Sequence, residues 1–409
     1  MDNMIGGAGK TLTDAEVRGF VLTRLAQEDL DGRRVCVIVP DATRSCPLPL
    51  LLGAVHEALT GRAATVTVLV ALGTHAPMTP EQLARHLGGP YDAMVIRNHE
   101  WWVPESLVSL GGIAAERVAE LSEGRMRQPV DVTLNRAVVE HDVCLVIGPV
   151  FPHEVVGFSG GNKYFFPGVA GQEIIDFSHW LGALISSAEI IGTRGITPVR
   201  ALIDEAAALI PARRLALCLV VQSGTGALHA AAFGPPEQAW AACADVSAQT
   251  HVRYLDAPVR RVLSLIPEKY DDMWTGAKGF YKVEPIVADG GQVIVYAPHI
   301  TRISQMHPEI EQLGYHCRDY FVKQWDRFSG HHWGVLAHST HLRGAGTWDP
   351  EHGERARVTV TLATGIPEQV VRAANLDYLD PAAVDVDALA ADPETLVVPQ
   401  AGEVLFRLR

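Results

Sequence analysis

The sequence predicts an α/β protein of two domains with mainly parallel sheets and flanking helices, and an active site in the cleft between them. Three observations predict this class. Short runs rich in β-branched residues alternate with helix-like segments, as buried parallel strands and their crossovers do. The chain has 409 residues, too many for one ordinary core and suited to two domains of roughly 100–200 residues each. Clusters of polar residues stand where the apolar runs stop, and open α/β sheets gather their ligands at the carboxyl ends of strands.

The apolar runs fall, in order, at residues 34–39, 64–71, 143–147, 215–221, 261–266 and 292–296. Helix-like segments lie at 50–60, 79–86, 197–209 and 237–246. Thr79-Pro80 and Thr197-Pro198 each put a capping hydroxyl before a proline at the first helical position. A Pro-bearing turn at 255–260 marks a boundary. It gives an N-terminal domain over 1–258 and a C-terminal domain over 259–409. The Ala-, Asp- and Pro-rich stretch 381–399 ends in a short strand at 403–408, a candidate to return to the N-terminal domain.

Composition narrows the function. Apolar residues make up 48% and charged residues 20%, the balance of a packed globular chain. The net charge of −13 disfavours a nucleic-acid partner, whose phosphates would have nothing to neutralise them, but a local basic cluster can still take a small anion. No run reaches the ~20 apolar residues of a membrane span. The N-terminus lacks the apolar core of a signal peptide. Cys36, Cys46, Cys144, Cys218, Cys243 and Cys317 are scattered without a CxxC pair, three of them inside apolar runs. They read as reduced thiols of a cytoplasmic protein.

Four constellations carry the chemistry. Asp41-Ala42-Thr43-Arg44 follows the first run and offers a guanidinium fork and a hydroxyl for a carboxylate or phosphate. The same residues also suit a turn in which Asp41 caps the next helix. Gly73-Thr74-His75 follows the second run, and Phe151-Pro152-His153 follows the third. Two imidazoles presented from neighbouring strand ends suit proton removal from one face of a substrate and delivery to the other. Ser159-Gly160-Gly161-Asn162-Lys163 lets the backbone turn sharply and delivers a lysine backed by Tyr164, Phe165 and Phe166. A desolvated lysine can act as a nucleophile or attachment point, whereas an isolated GGxK is more often a turn with a solvated lysine. His179, between Ser178 and Trp180, opens a helix-like segment. It suits either a packed core imidazole or a metal ligand, and no second histidine stands at helical spacing to complete a zinc site.

In order and spacing these blocks resemble the lactate racemase family, which uses a nickel pincer nucleotide. Ten residues separate His153 from Lys163 and sixteen separate Lys163 from His179. The likeness runs block by block over about residues 35–200 and more weakly through Lys278. The resemblance implies a pyridinium-3-thioamide-5-thiocarboxylic acid mononucleotide, carrying nickel and joined to Lys163, with His179 as the fourth nickel ligand. Square-planar nickel needs four donors, so one protein imidazole suffices when the cofactor brings three. The resemblance further implies His75 and His153 as general acid and base, Arg44 and Lys278 as carboxylate holders, and Asp41 and Thr43 near the cofactor phosphate or the substrate. Gly160 and Gly161 belong to the cofactor-binding loop.

The activity so implied is racemisation or epimerisation at C2 of a 2-hydroxy acid. Proteins that synthesise the cofactor would be transient partners, and a host lacking them would make a chain with unmodified Lys163. One departure bears on the substrate. Trp274-Thr275-Gly276-Ala277-Lys278 stands where the family has a Tyr-Gln pair lining the substrate pocket. The lost amide and gained indole point away from lactate, toward a larger acid or one with extra hydroxyls. A non-catalytic protein of this fold that binds a small anion is the alternative reading, and a metal-dependent hydrolase or lyase a weaker one. His331, His332 and Trp333 stand out without a spacing argument. His86, His141 and His229 read as structural or surface residues.

Overall fold

The structure, a computed structural model, describes residues 3–409. The chain forms two units. The first comprises 3–151, 158–175 and 194–250, and the second comprises 152–157, 176–193 and 251–409. The division therefore falls eight residues before the expected 258, and two short inserts of the first half belong to the second unit.

The first unit is built on a seven-stranded sheet. Its strands are β1 (Met4–Gly6), β2 (Arg34–Pro40), β3 (Thr65–Ala71), β4 (Met94–Asn98), β5 (Val143–Pro149), β6 (Arg213–Val221) and β7 (Leu228–Gly234). Their order is β1-β7-β6-β5-β2-β3-β4. The five strands from β6 to β4 run parallel, and β7 and β1 close one edge antiparallel. β5, every residue of which is buried, shows why the predicted runs were continuous rather than alternating, since helices cover both faces of such a sheet. β1 and β7 were not foreseen, because the centre of β7 is three alanines without β-branched residues and β1 is three residues long.

Helices α1 (Asp14–Ala26) and α2 (Leu48–Leu59) pack on this sheet through Val17, Val21, Leu51 and Val55, which share a core with Val35, Val37 and Leu217. Helices α3 (Pro80–Leu87) and α5 (Pro198–Ala208) begin at their predicted caps. The Thr79 hydroxyl accepts from Gln82 N and the Thr197 hydroxyl from Arg200 N. Strand order reverses between β5 and β2, the switch point where a doubly wound sheet leaves room for a ligand.

The second unit has a five-stranded parallel sheet. Its strands are β9 (Val259–Leu265), β10 (Val287–Ala297), β11 (Thr359–Thr364), β12 (Asp377–Tyr378) and β13 (Thr395–Val398), in the order β12-β11-β10-β9-β13. The last strand, β14 (Leu405–Leu408), pairs with β8 (Val252–Leu255). The C-terminal segment thus pairs with a strand that lies within the expected bounds of the N-terminal domain and, in the structure, at the start of the second unit. Helix α4 (Gln172–Ile185) begins five residues before the predicted segment, so Phe177 and His179 lie within it rather than at its start. Helix α6 (Pro236–His251) closes the first unit, and α7 (Trp333–Arg343) lies in the core of the second.

All six cysteines are free. Among the described residues, no helix is long and apolar enough to cross a membrane.

Candidate functional site

Asp41 is the first residue past β2 and is 5% exposed. One carboxylate oxygen accepts from Thr43 N at 3.0 Å and from the Thr43 hydroxyl at 2.6 Å. The other lies 2.5 Å from His75 Nδ1. Burial alone would raise this carboxyl. The His75 charge and hydrogen bond, the Thr43 bonds and the nearby Arg44 together hold it well below the ordinary range. Asp41 does not cap α2, whose first residue follows Pro47 without a side-chain cap. Its acceptors go instead to a histidine 34 residues away. In the neutral ring a carboxylate there fixes the proton on Nδ1, which makes Nε2 of His75 the acceptor nitrogen.

The loop that carries Lys163 is held from beneath. Ser159 N bonds to the Phe151 carbonyl at 2.8 Å. The Trp240 indole donates to Ser159 O at 3.0 Å, and Arg200 donates to Gly160 O at 3.0 Å and to Phe158 O at 2.5 Å. The Asn162 amide donates to Asp204 and Glu237 at 2.9 and 2.8 Å and accepts from Arg214 at 2.8 Å. Gly160 (φ +91°) and Gly161 (φ +59°) take the left-handed region. A Cβ on either would meet Val150 at 2.7 Å or Trp240 at 2.8 Å. Both glycines are therefore required by turn and packing. Lys163 follows in a 3-10 turn, half-buried, and Gly168 at the end of the block accepts from Gly73 N of the His75 loop at 3.0 Å. Tyr164 lies against Gly148, where a Cβ would stand 2.1 Å from its hydroxyl.

His153, Glu154, His179, Trp274, Thr275 and Lys278 lie in the second unit. His153 is 4% exposed, and its Nδ1 accepts from Val155 N at 3.1 Å, so the neutral ring carries its proton on Nε2. Glu154 reaches 3.4 Å from the same nitrogen. Burial would raise Glu154, but His153 first, then Lys278, Lys282 and His341, draw it well below the usual carboxylate value. Lys282 donates to the carbonyl of Pro152.

His179 stands half-buried on α4. Its neighbour Trp180 stacks on Trp325 at 5.1 Å, and Asp176, one turn earlier, bonds to Gly334 N at 2.9 Å and His332 at 3.2 Å. His332 and Trp333 thereby hold α7 to α4, with the Trp333 indole on Ser329 O. His331 is exposed.

Trp274 and Thr275 sit in a turn capped by Asp272, whose carboxylate accepts from Thr275 N at 2.9 Å and its hydroxyl at 2.8 Å. Lys278, 4% exposed, follows on the next turn with its ammonium 5.4 Å from the Tyr270 ring. His86, His141 and His229 bond to Pro40 O, Ala137 O and the Thr250 hydroxyl, as structural residues do.

Glu154, Arg200, Trp240, His338 and His341 were not singled out from the sequence. Arg200 and Trp240 sit inside ordinary helical patterns, and only the carbonyls they meet give them a role. Among the described residues, no three His, Cys, Asp or Glu side chains assemble as a metal site. A metal at His179 must therefore bring other donors with it, and the donor set suits a metal carried by an organic group.

The lactate racemase N-terminal domain model matches residues 22–192. The lactate racemase of Thermoanaerobacterium thermosaccharolyticum is 28% identical over 162 residues, 38% of this chain and 35% of that protein. That of Lactiplantibacillus plantarum is 28% identical over 147 residues, 36% of this chain and 32% of that protein. The matches thus span about a third of the curated relatives' length. A crystal structure of a Thermotoga maritima protein superposes with a TM-score of 0.91 at 33% identity, over 98% of this chain and 100% of that one. The lactate racemase apoprotein of T. thermosaccharolyticum gives 0.68 at 18% identity, over 100% of this chain and 96% of that one, a likeness of fold.

Two outcomes follow from the geometry. Asp41 has a depressed carboxyl, so its stabilisation is complete above about pH 5 and is lost as pH falls through the unfolded value near 4 toward the folded one. Asp41→Asn should lose on the order of 2 kcal/mol at pH 7 and less, though still a measurable part of it, at pH 3, read from urea midpoints at both pH values. Gly161→Ala places a methyl 2.8 Å from Trp240 Cβ at positive φ, and should destabilise by about 1–3 kcal/mol in thermal melts.

Proposed function

The chain belongs to the lactate racemase family, and from that premise we propose that it is an isomerase, a racemase or epimerase acting at C2 of a 2-hydroxy acid other than lactate. The observation that supports this most is the matched but opposite setting of two histidines. His75 has its Nδ1 proton engaged by Asp41 and offers a bare Nε2. His153 has its Nδ1 occupied by a backbone amide and offers an Nε2 proton. Inversion at C2 needs a group to take the hydroxyl proton and a group to return one: neutral His75 suits the base, and His153 in its protonated form, with Glu154 3.4 Å away, suits the acid and returns to the neutral ring as it gives its proton.

In this reading Lys163 is the covalent attachment point and His179 the protein ligand of a nickel pincer nucleotide. When bound, that group supplies an acceptor and donor for the C2 hydride. The chain's own residues do the rest. His75 accepts the 2-hydroxyl proton, and Asp41 stabilises the imidazolium that results. His153 protonates the 2-oxo oxygen on return, with Glu154 as its counter-charge, and the roles exchange for the opposite enantiomer. Arg44 and Lys278 neutralise the substrate carboxylate. Trp274 and Thr275 shape the pocket for the remainder of the acid. Cofactor-synthesis proteins are transient partners, neither nucleic acid nor membrane takes part, and the six reduced cysteines suit the cytoplasm.

Peptide mass spectrometry with nickel analysis tests the attachment. Protein co-expressed with the cofactor-synthesis enzymes should carry a large increment on Lys163 and about one nickel per chain. An unmodified Lys163 in cells that demonstrably make the cofactor would sink the reading. With loaded enzyme, His75→Ala and His153→Ala should each lower inversion by roughly 10²–10⁴-fold, followed by chiral chromatography. Retention of activity in both would remove them from the mechanism.

A further inference from the structure

Helix α7 turns two histidines, His338 and His341, into the interior of the second unit. The His338 ring lies flat on Trp274, centroids 3.8 Å apart, and His307 also stacks on that indole at 4.2 Å. His338 Nε2 is 2.9 Å from the carbonyl oxygen of Trp274. A carbonyl can only accept, so Nε2 carries the ring proton and Nδ1 is a bare lone pair. That Nδ1 is buried with no hydrogen-bond partner among the described residues, and so are both ring nitrogens of His341. Burial keeps the rings uncharged. His338 is held well below the ordinary imidazole value, and His341 is pushed down to about 4 against the opposing pull of Glu154.

Buried polar atoms are nearly always satisfied, and this helical turn holds three that lack a partner. Its surroundings are the candidate site residues of this unit. Lys278, His307 and His341 face His338, and Glu154, beside His153, faces His341.

We propose that this turn of α7 binds the tail of the substrate and that the tail carries hydroxyl groups, so that the enzyme takes a polyhydroxylated 2-hydroxy acid. The assignment deepens the racemase reading and rests on it. Donor and acceptor chemistry selects the class. A carboxylate has no proton to give, so a dicarboxylic acid cannot satisfy the bare Nδ1 of His338. An apolar tail would leave all of the nitrogens unmet. A hydroxyl both donates and accepts, so it serves Nδ1 of His338 as donor and either nitrogen of His341 in the matching role. Lys278, on the turn after Trp274, supplies the cation for the acid group. A site built to bond a hydroxyl rejects the analogue that lacks it strongly.

Three four-carbon acids separate the possibilities. 2-Hydroxybutyrate has an apolar tail, malate a second carboxylate, and 2,3,4-trihydroxybutanoate two further hydroxyls. Calorimetric titration of each into the full-length protein should rank the trihydroxy acid tighter than both others by roughly tenfold or more. Its saturation should also shift the ¹⁵N resonance of His338 Nδ1. His338→Phe keeps a ring on Trp274 and removes the acceptor, and should abolish most of that preference. Equal or reversed ranking in the unaltered protein, or a His338 resonance that does not move, overturns the proposal whether or not the variant folds. Inversion of the three acids by cofactor-bearing protein is scored separately. If none is inverted, the racemase reading fails while the binding order still decides this one.

Discussion

The first unit's site depends on a buried guanidinium. Arg200 is 1% exposed, and burial pushes it down to about 10 while Asp204 pulls the other way, so it stays charged at neutral pH. Burying such a charge is costly unless it is bonded. The bonds come from the loop beyond β5, which turns the carbonyls of Phe158 and Gly160 inward at the sheet end. Without donors those carbonyls would be unmet in the interior. The Trp240 ring lies 4.2 Å from the guanidinium and gives its indole proton to the carbonyl between them. The same contacts explain the two glycines, because Trp240 and Val150 occupy the space their side chains would fill. Lys163 thus leaves a loop whose carbonyls are held by Arg200 and Trp240.

A second principle is repeated in both units. Each candidate acid/base histidine has a nearby carboxylate held ionised by its surroundings, Asp41 for His75 and Glu154 for His153. The partners on Nδ1 differ in kind, a carboxylate in one case and an amide in the other, and this sets which ring nitrogen carries the proton. A carboxylate beside an imidazole stabilises the cation that forms when the ring takes a proton. Both histidines are therefore supported in the charged state while starting from opposite neutral tautomers.

Much of this was legible in the sequence. The parallel strands were readable because burial on both faces leaves continuous apolar runs, and α3 and α5 because Thr79 and Thr197 spell out their caps. Asp41 was readable as a polar residue at a strand end but not in its contact. Local rules offer it a helix to cap, and only the β2–β3 pairing brings His75 within reach. The structure's two units differ from the expected boundary in the segments 152–157 and 176–193, which nothing in composition marks as departures from the surrounding chain. Glu154 was passed over because its value lies in Lys278, Lys282 and His341, all more than 120 positions away. His338 and His341 were invisible for the same reason. A histidine in a helical pattern carries no sign of whether its nitrogens will be met.

Global and local charge point in different directions here, and the difference bears on the ligand. The chain carries −13 overall, a sign that would repel an acid approaching from solvent. The candidate site residues nevertheless include Arg44 and Lys163 in the first unit and the buried Lys278 in the second, where Lys282 is buried too. Lysines at 4% and 2% exposure are costly to keep ionised, and Glu154 is one negative charge shared by both. A substrate carboxylate would add a second negative charge to that network and relieve part of the cost. Field lines in a low-dielectric interior are weakly screened, so this local sign outweighs the distant surface once an acid has entered. Selection for an anion is thereby placed in the interior, where charge is expensive and specific.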